Sequence, residues 1–303
     1  MNSDLAFVIA HFHEQGRVPA NLFSLIEHLR TLTPKVVIVS TGISELEIER
    51  LSPLAKVIAR ENFGYDFWSY KLGIDELGDR SGLSRLVLFN SSFVTLDPKG
   101  LCRAFLTPIA GPSLRGITCT AQRGWHAQSY WVAFETAALI NSAEFSTWWS
   151  QLVPISDRFQ VILQQEIGMS NWFAERGVPI RAAFTPSAEE QLIAICRIIG
   201  SRLQKITVPA NGRSEVSFDL QFAQQLNPTH LLWDSLLERF HLLKIDLLKT
   251  NPTFQYLDYF LYSLSRTKPE LFDLILDAVP GLRLSSTPST LVSDPRHIST
   301  ALQ

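Results

Sequence analysis

Four short polar stretches of this 303-residue chain each follow an apolar run of strand length, and a fifth lies between two further strand candidates. His11 and His13 follow the run 5–10, Ser40-Thr41-Gly42 follows 36–39, the stretch from Arg60 to Phe67 follows 56–59, and Asn90-Ser91-Ser92 follows 86–89. The fifth stretch runs from Gln122 to Ser129. In α/β proteins, ligands bind beyond the carboxyl ends of parallel strands, so these are the places where chemistry is expected. The third stretch is the richest. Asn62, Gly64 and Asp66 are polar or turn-forming, yet Phe63, Tyr65, Phe67, Trp68 and Tyr70 crowd them with aromatic surface. Two readings stand: the rings line a pocket, stacking on a base or sugar whose hydroxyls Asn62 and Asp66 take, or they pack a tight turn into the core. Neither G-x-G-x-x-G nor the P-loop pattern occurs, which argues against a dinucleotide dehydrogenase and a P-loop ATPase. His126 and Ser129 have no acidic partner at a defined spacing, so a hydrolase triad is rejected.

These stretches need a sheet to position them. Leu22, Leu25, Ile26, Leu29 and Leu32 recur at helical spacing between the first two apolar runs, and Pro34 ends that helix. Helices are predicted at 45–51 and 70–77, and further strands at 116–120, 130–134 and 180–184. Helical stretches at 136–141, 145–152 and 158–176 lie between the last two of these strands. The alternation predicts an α/β fold built on a parallel sheet, with right-handed crossovers. From Glu189 onward no convincing strand appears, and helices are expected at 192–206, 231–240, 254–264 and 271–278. The expected organisation is an α/β domain over 1–187, a helical region over 188–284, and a Ser-, Thr- and Pro-rich tail over 285–303 that should be poorly ordered.

Lys and Arg number 27 against 29 Asp and Glu, giving a net charge of −2, so no global positive field exists to hold a nucleic acid. Cys102, Cys119 and Cys196 fit neither a disulfide framework nor a zinc knuckle and read as small buried hydrophobes. The run 5–10 lacks a basic leader, and no uncharged apolar run is long enough to span a bilayer. A cytoplasmic location is expected, with the 7 tryptophans leaving room for docking on a membrane or a partner.

The stretch Arg60-Glu61-Asn62-Phe63-Gly64-Tyr65-Asp66-Phe67-Trp68-Ser69-Tyr70-Lys71-Leu72-Gly73 resembles the R-E-N-x-G-Y-D-F-x-S-[WY]-K-x-G signature of the rhamnan synthesis protein F family. These are bacterial glycosyltransferases associated with rhamnose-containing cell-wall and O-antigen polysaccharides. Further matches follow in order. Residues 86–93 look like the family's L-F-N-D-S-V, and residues 126–134 like its H-x-Q-S-Y-F-x-x-F. Val161-Ile162 with residues 166–170 resembles V-I-x-x-Y-E-x-G-L-S. Residues 227–230 with Trp233 resemble N-P-T-H-x-x-W, and residues 244–252 resemble K-x-x-L-L-R-x-N-P. The similarity covers residues 5–255.

The resemblance implies a GT-A-like sheet that binds a nucleotide-sugar, dTDP-rhamnose or a related donor, and adds the sugar to a lipid-linked or oligosaccharide acceptor at the inner face of the membrane. It places the donor among His11, Arg60, Asn62, Gly64, Tyr65, Asp66, Lys71, Asn90, Ser91 and Ser92, and the acceptor or phosphate groups near His126, Ser129, His230, Trp233 and Lys244. Glu166, in a run with Val161, Ile162 and Ile167, is the candidate base; the other reading is a solvated helix glutamate. His11 either sits over the nucleotide or caps its strand as a structural group, and Trp233 either covers the donor or is core. Trp148-Trp149 is expected to pack a helix on the sheet, and the stripe 254–261 is open between core, dimer contact and membrane contact. Many such enzymes hold Mg²⁺ or Mn²⁺ through an Asp-x-Asp, and the family carries N-D-S in that segment. Here Ser91 stands in the place of the Asp, so no metal is expected and Arg60, Lys71, Arg123 or His126 would meet the diphosphate. The alternative is a chain that keeps the fold without the chemistry, as a nucleotide- or glycan-binding module or an accessory subunit of a polysaccharide assembly complex.

Overall fold

The structure, a computed structural model, describes residues 4–203, 226–253 and 255–282. The tail expected over 285–303 lies outside them, as does Phe254 of the aromatic stripe. The strands are β1 (Leu5–Phe12), β2 (Val36–Thr41), β3 (Lys56–Arg60), β4 (Arg85–Asn90), β5 (Phe93–Thr95), β6 (Ser113–Gly116), β7 (Cys119–Thr120), β8 (His126–Ala127), β9 (Trp131–Glu135), β10 (Ile180–Ala182) and β11 (Leu242–Lys244). Seven of them form one sheet in the order β10-β6-β9-β4-β1-β2-β3. The pairs β1–β2, β2–β3, β1–β4 and β6–β10 are parallel. The fold is therefore mixed α/β, with a mostly parallel sheet flanked by helices.

β1 is apolar at nearly every position because both of its faces are covered, as the centre of a parallel sheet requires. Leu5, Phe7 and Ile9 point to one face and meet Leu22, Leu25, Ile26 and Leu29 of helix α1 (Ala20–Leu32). Ala6, Val8 and Ala10 point to the other, into a core shared with Phe67, Tyr70 and Ile74. Those three lie on a helix at Tyr65–Leu77. Gly73 lets that helix lie against β1, since a Cβ there would stand 2.2 Å from Val8 Cγ1.

Three expectations are corrected. β9, expected as one more parallel strand, runs antiparallel to both β4 and β6. A parallel return needs a long crossover, and the chain between β6 and β9 is spent instead on the small β7–β8 hairpin. Second, the C-terminal part contains a strand: β11 pairs antiparallel with β5, bringing Lys244 opposite Phe93. Its three residues carry too little alternation to read in sequence. Third, Cys196 is exposed, whereas Cys102 and Cys119 are buried as expected.

The helices of the C-terminal part close a core of their own. Trp233, Leu237, Leu243, Phe260, Leu261, Leu264 and Ile275 pack together with Val94 of β5. Trp233 is thus core, its ring tilted against that of Phe260 with centroids 5.2 Å apart. Of the aromatic stripe, Leu257, Phe260 and Leu261 are buried, while Tyr256 and Tyr259 are exposed. Trp149 is buried against Phe134 and Phe145, the packing role expected of it. No helix among the described residues is long and apolar enough to cross a membrane.

Candidate active site

A cleft of about 1010 Å³ opens beyond the carboxyl ends of β3 and β4. Tyr65 and Asp66 line it after β3, Asn90 and Ser92 after β4, and residues 120–130, 161–166, 227–230 and 244–252 supply its other walls. Of the site residues expected from sequence, it gathers Tyr65, Asp66, Asn90, Ser92, His126, Ser129, Glu166, His230 and Lys244.

A chain of hydrogen bonds runs along one wall. Lys244 Nζ donates to Ser92 Oγ at 2.5 Å, and the Ser92 hydroxyl donates to Asn90 Oδ1. Asn90 Nδ2 donates to Asp66 Oδ2 at 2.7 Å. Each group fixes the rotamer of the next, so the polar atoms are set in place before any ligand arrives. Burial pushes the Asp66 carboxyl up, opposed by the Asn90 hydrogen bond and the Lys244 charge. Burial likewise lowers the Lys244 ammonium, opposed by the charges of Asp246, Glu166 and Asp66.

Glu166 faces this chain within a π-helical stretch, Val161–Ile167, where a regular α-helix was expected. Such widened turns are frequent at functional sites because they re-aim a side chain. Glu166 Oε1 accepts the backbone N–H of Ser129 at 2.7 Å. Ser129 is in turn fixed through its carbonyl, which accepts the hydroxyl of buried Tyr70 at 2.8 Å. Ser129 acts in this arrangement through its backbone. His126 Nδ1 lies 2.8 Å from the carbonyl of Gly124, so the proton sits on Nδ1 and leaves Nε2 to accept.

Two groups in the cleft were not among the site residues expected from sequence. Asp246 stands 2.9 Å from His230 Nε2. Burial pushes the Asp246 carboxyl up, but the His230 hydrogen bond and the Lys244 charge outweigh it and hold the group below the usual carboxylate range. Gln128 Oε1 accepts from Thr118 at 2.8 Å and also from Thr229, joining the cleft floor to the segment that opens at Asn227. Both pairings cross long stretches of chain, so no local pattern announces them. Arg123, Arg158 and Lys249 add positive charge to the lining.

The rings of the aromatic loop divide between the core and the cleft. Phe67 and Tyr70 are buried, whereas Phe63 and Tyr65 are 45% and 42% exposed, with Tyr65 at the cleft. Gly64 and Tyr65 both adopt left-handed backbone, φ 72° and 49°. Arg60, expected at the donor, does not line the cleft. Its guanidinium donates to the carbonyls of Glu61 and Tyr65 at 2.8 Å, to that of Phe63, and to Ser69 Oγ, so it clamps the strained turn.

Other expected residues also stand outside the cleft. Lys71 pairs with Asp75 along its helix at 3.4 Å. Asn62 is an exposed loop residue. Ser91 turns to the end of β1, where Phe12 N donates to its Oγ at 3.2 Å. His11 is buried, with its Nδ1 2.7 Å from Ser40 Oγ. Burial and the neighbouring His13 lower its pKa to about 4. An unfolded histidine near 6.5 binds a proton that the native one refuses, so stability is complete above pH 6.5 and falls as pH drops toward about 4, by about 3 kcal/mol. Urea midpoints between pH 7 and 4 should show this decline, and His11→Asn should flatten it.

The divalent cation implied by the resemblance finds no fitting donor set. Among the described residues, no group of three His, Cys, Asp or Glu side chains could hold a metal ion. After β4 the oxygens are neutral, and those of Asn90 and Ser92 are engaged in the Lys244–Asp66 chain. A hard cation wants several charged oxygens, which this wall does not offer.

The fold and cleft thus define a helix-flanked α/β protein with a large polar site at the strand ends. The rhamnan synthesis protein F family model matches residues 116–196, so the resemblance read from the motifs holds. The matched segment runs from the end of β6 past Glu166 and includes His126 and Ser129. The chain is 29% identical over 204 residues to virulence protein VirA of Vibrio anguillarum, covering 65% of this chain and 63% of that protein. It is 27% identical over 194 residues to the uncharacterized protein y4gN of Sinorhizobium fredii, covering 61% and 50%. The chain therefore spans less than two thirds of the length of these relatives. Among solved structures, a cytidylyltransferase from Leptospira borgpetersenii aligns over 65% of this chain and 87% of its own, at 10% identity and a TM-score of 0.32.

Proposed function

We propose that the chain is a glycosyltransferase of bacterial surface-polysaccharide synthesis, transferring a sugar, rhamnose by the family resemblance, from a nucleoside diphosphate donor to an oligosaccharide or lipid-linked acceptor. The observation that carries this reading is Glu166, pinned through one oxygen by the Ser129 N–H on the wall of a cleft that also holds Lys244. Glycosyl transfer breaks the bond between the anomeric carbon and the phosphate oxygen as an acceptor hydroxyl attacks that carbon. The hydroxyl proton must leave, and the diphosphate must carry away the bond's electrons. Glu166 takes the proton, and the cationic groups of the cleft meet the leaving diphosphate. Tyr65 offers a ring face at the cleft for base or sugar, and Asp66 with Asn90 offers acceptors and donors for hydroxyls. The left-handed turn held by Arg60 fixes where that ring stands. The exposed tyrosines of the C-terminal helices suit contact with a membrane or another transferase.

The test is turnover. The protein is incubated with a panel of nucleotide-sugars that includes dTDP-rhamnose and UDP-hexoses, with rhamnose-containing oligosaccharide acceptors, and released nucleoside diphosphate is measured. Acceptor-dependent release from one donor supports the reading. Tight nucleotide binding without release from any donor supports the binding-module alternative.

A further inference from the structure

We propose that the ammonium of Lys244 is a built-in counter-charge for the diphosphate, standing in the cleft where a metal-dependent transferase would hold its divalent cation. The inference rests on the nucleotide-sugar reading above and assigns the group that neutralises the leaving phosphate. Three observations carry it.

The first is placement. β11 pairs with β5 immediately after the turn that follows β4, and this pairing brings Lys244 Nζ to Ser92 Oγ at 2.5 Å. The cation therefore sits at the carboxyl end of a central strand, against the segment that carries N-D-S in the family the chain resembles.

The second is that the charge is buried and, among the described residues, no carboxylate stands close enough to form an ion pair with it. Lys244 is 9% exposed, and its Nζ meets the Ser92 hydroxyl and, at 4.6 Å, the face of Tyr130. An ammonium has three donors, and Ser92 accepts one of them. A withdrawn cation in this state is costly unless an anion completes it, and the two remaining donors suit phosphate oxygens. The charges of Asp66, Glu166 and Asp246 favour its protonated form, while Arg158 opposes it.

The third is rigidity. The Ser92–Asn90–Asp66 chain holds the acceptor of Lys244 in one rotamer, so the ammonium does not have to be reorganised as charge develops on the leaving group. A divalent ion entering beside Ser92 would face a fixed cation, and the nearest oxygens of the chain, those of Ser92 and Asn90, are neutral.

The experiment is calorimetric titration of dTDP and UDP into the full chain, in EDTA and then in Mg²⁺ and Mn²⁺. The expected result is a dissociation constant equal within about two-fold in all conditions, and about ten-fold or more weaker binding by Lys244→Met that added metal does not restore. Binding that needs metal or gains ten-fold from it overturns the proposal while leaving the nucleotide reading intact, as does wild-type affinity in folded Lys244→Met. Absence of nucleotide binding under every condition fails the nucleotide reading and this inference together. Should Lys244→Met not fold, the EDTA comparison decides for the wild type, and Ser92→Ala, which frees the ammonium from its anchor, should weaken nucleotide binding without creating a metal requirement.

Discussion

Replacing Glu166 by glutamine is expected to lower kcat for sugar transfer by about 10²- to 10⁴-fold, the range for loss of a general base, while KM for the donor moves little. The substitution is chosen because of the local geometry. Glutamine keeps a carbonyl oxygen that can accept the Ser129 N–H now bound to Oε1, so the π-helical turn and the cleft wall are preserved. It removes only the capacity to take a proton. Steady-state rates of nucleoside diphosphate release, read beside a thermal melt, separate the two effects. Full turnover by the variant would remove Glu166 from the chemistry and leave the His230–Asp246 pair as the base to test, since its imidazole is already hydrogen-bonded to a carboxylate.

The largest expected stability effect lies away from the cleft. Glu135, at the end of the antiparallel strand β9, is 3% exposed and receives Arg85 Nε at 2.6 Å and Arg115 at 2.8 Å. The arginines belong to the two neighbouring strands, β4 and β6, so this cluster ties the reversed strand to both sides of the sheet. Arg85 and Arg115 also donate to the carbonyls of Leu106, Phe105 and Thr107, which anchors the chain after the helix Pro98–Phe105. Glu135→Ala leaves two guanidinium groups without their anion, Arg115 deeply buried, and should cost about 3–5 kcal/mol. Urea unfolding gives the value directly. Pairing the change with Arg115→Met should recover part of the loss, because the remaining charge imbalance is smaller; an unchanged midpoint for Glu135→Ala alone would show that the cluster contributes nothing net.

The sheet was legible because its central strands are buried on both faces and therefore read as unbroken apolar runs. Leu5 to Ala10 and Val36 to Val39 could hardly be anything else once α1 was seen between them. The direction of β9 was not legible, since apolarity reports burial and carries no sign of polarity; only the short connection from β6 forces the reversal. In the site, residues that follow strands were found by position and by the motifs they fall in, which is why Asp66, Asn90 and Ser92 were in view. The same rule placed Arg60, Ser91 and His11 at the ligand, yet in three dimensions each turns back to hold backbone or core. Strand ends supply both kinds of side chain, and a one-residue step decides between them: Ser91 reaches Phe12, and Ser92 reaches Lys244. The roles of Asp246 and Gln128 were not legible, because Asp246 meets His230 only through the folding of the C-terminal part on itself, and Gln128 meets Thr229 only through the packing of that part against the β7–β8 region.

The central claim is that the cleft between Asp66, Glu166 and Lys244 receives a nucleoside diphosphate, and thermal unfolding of the full chain across a concentration series of dTDP and UDP tests it most directly. A ligand that binds only the native state at about 100 times its dissociation constant adds about 2.7 kcal/mol, which for a chain of this size should raise the midpoint by about 4 °C, with a further rise in proportion to the logarithm of concentration. That rise is the predicted result. A midpoint that stays fixed for every nucleoside diphosphate up to millimolar concentration would contradict it.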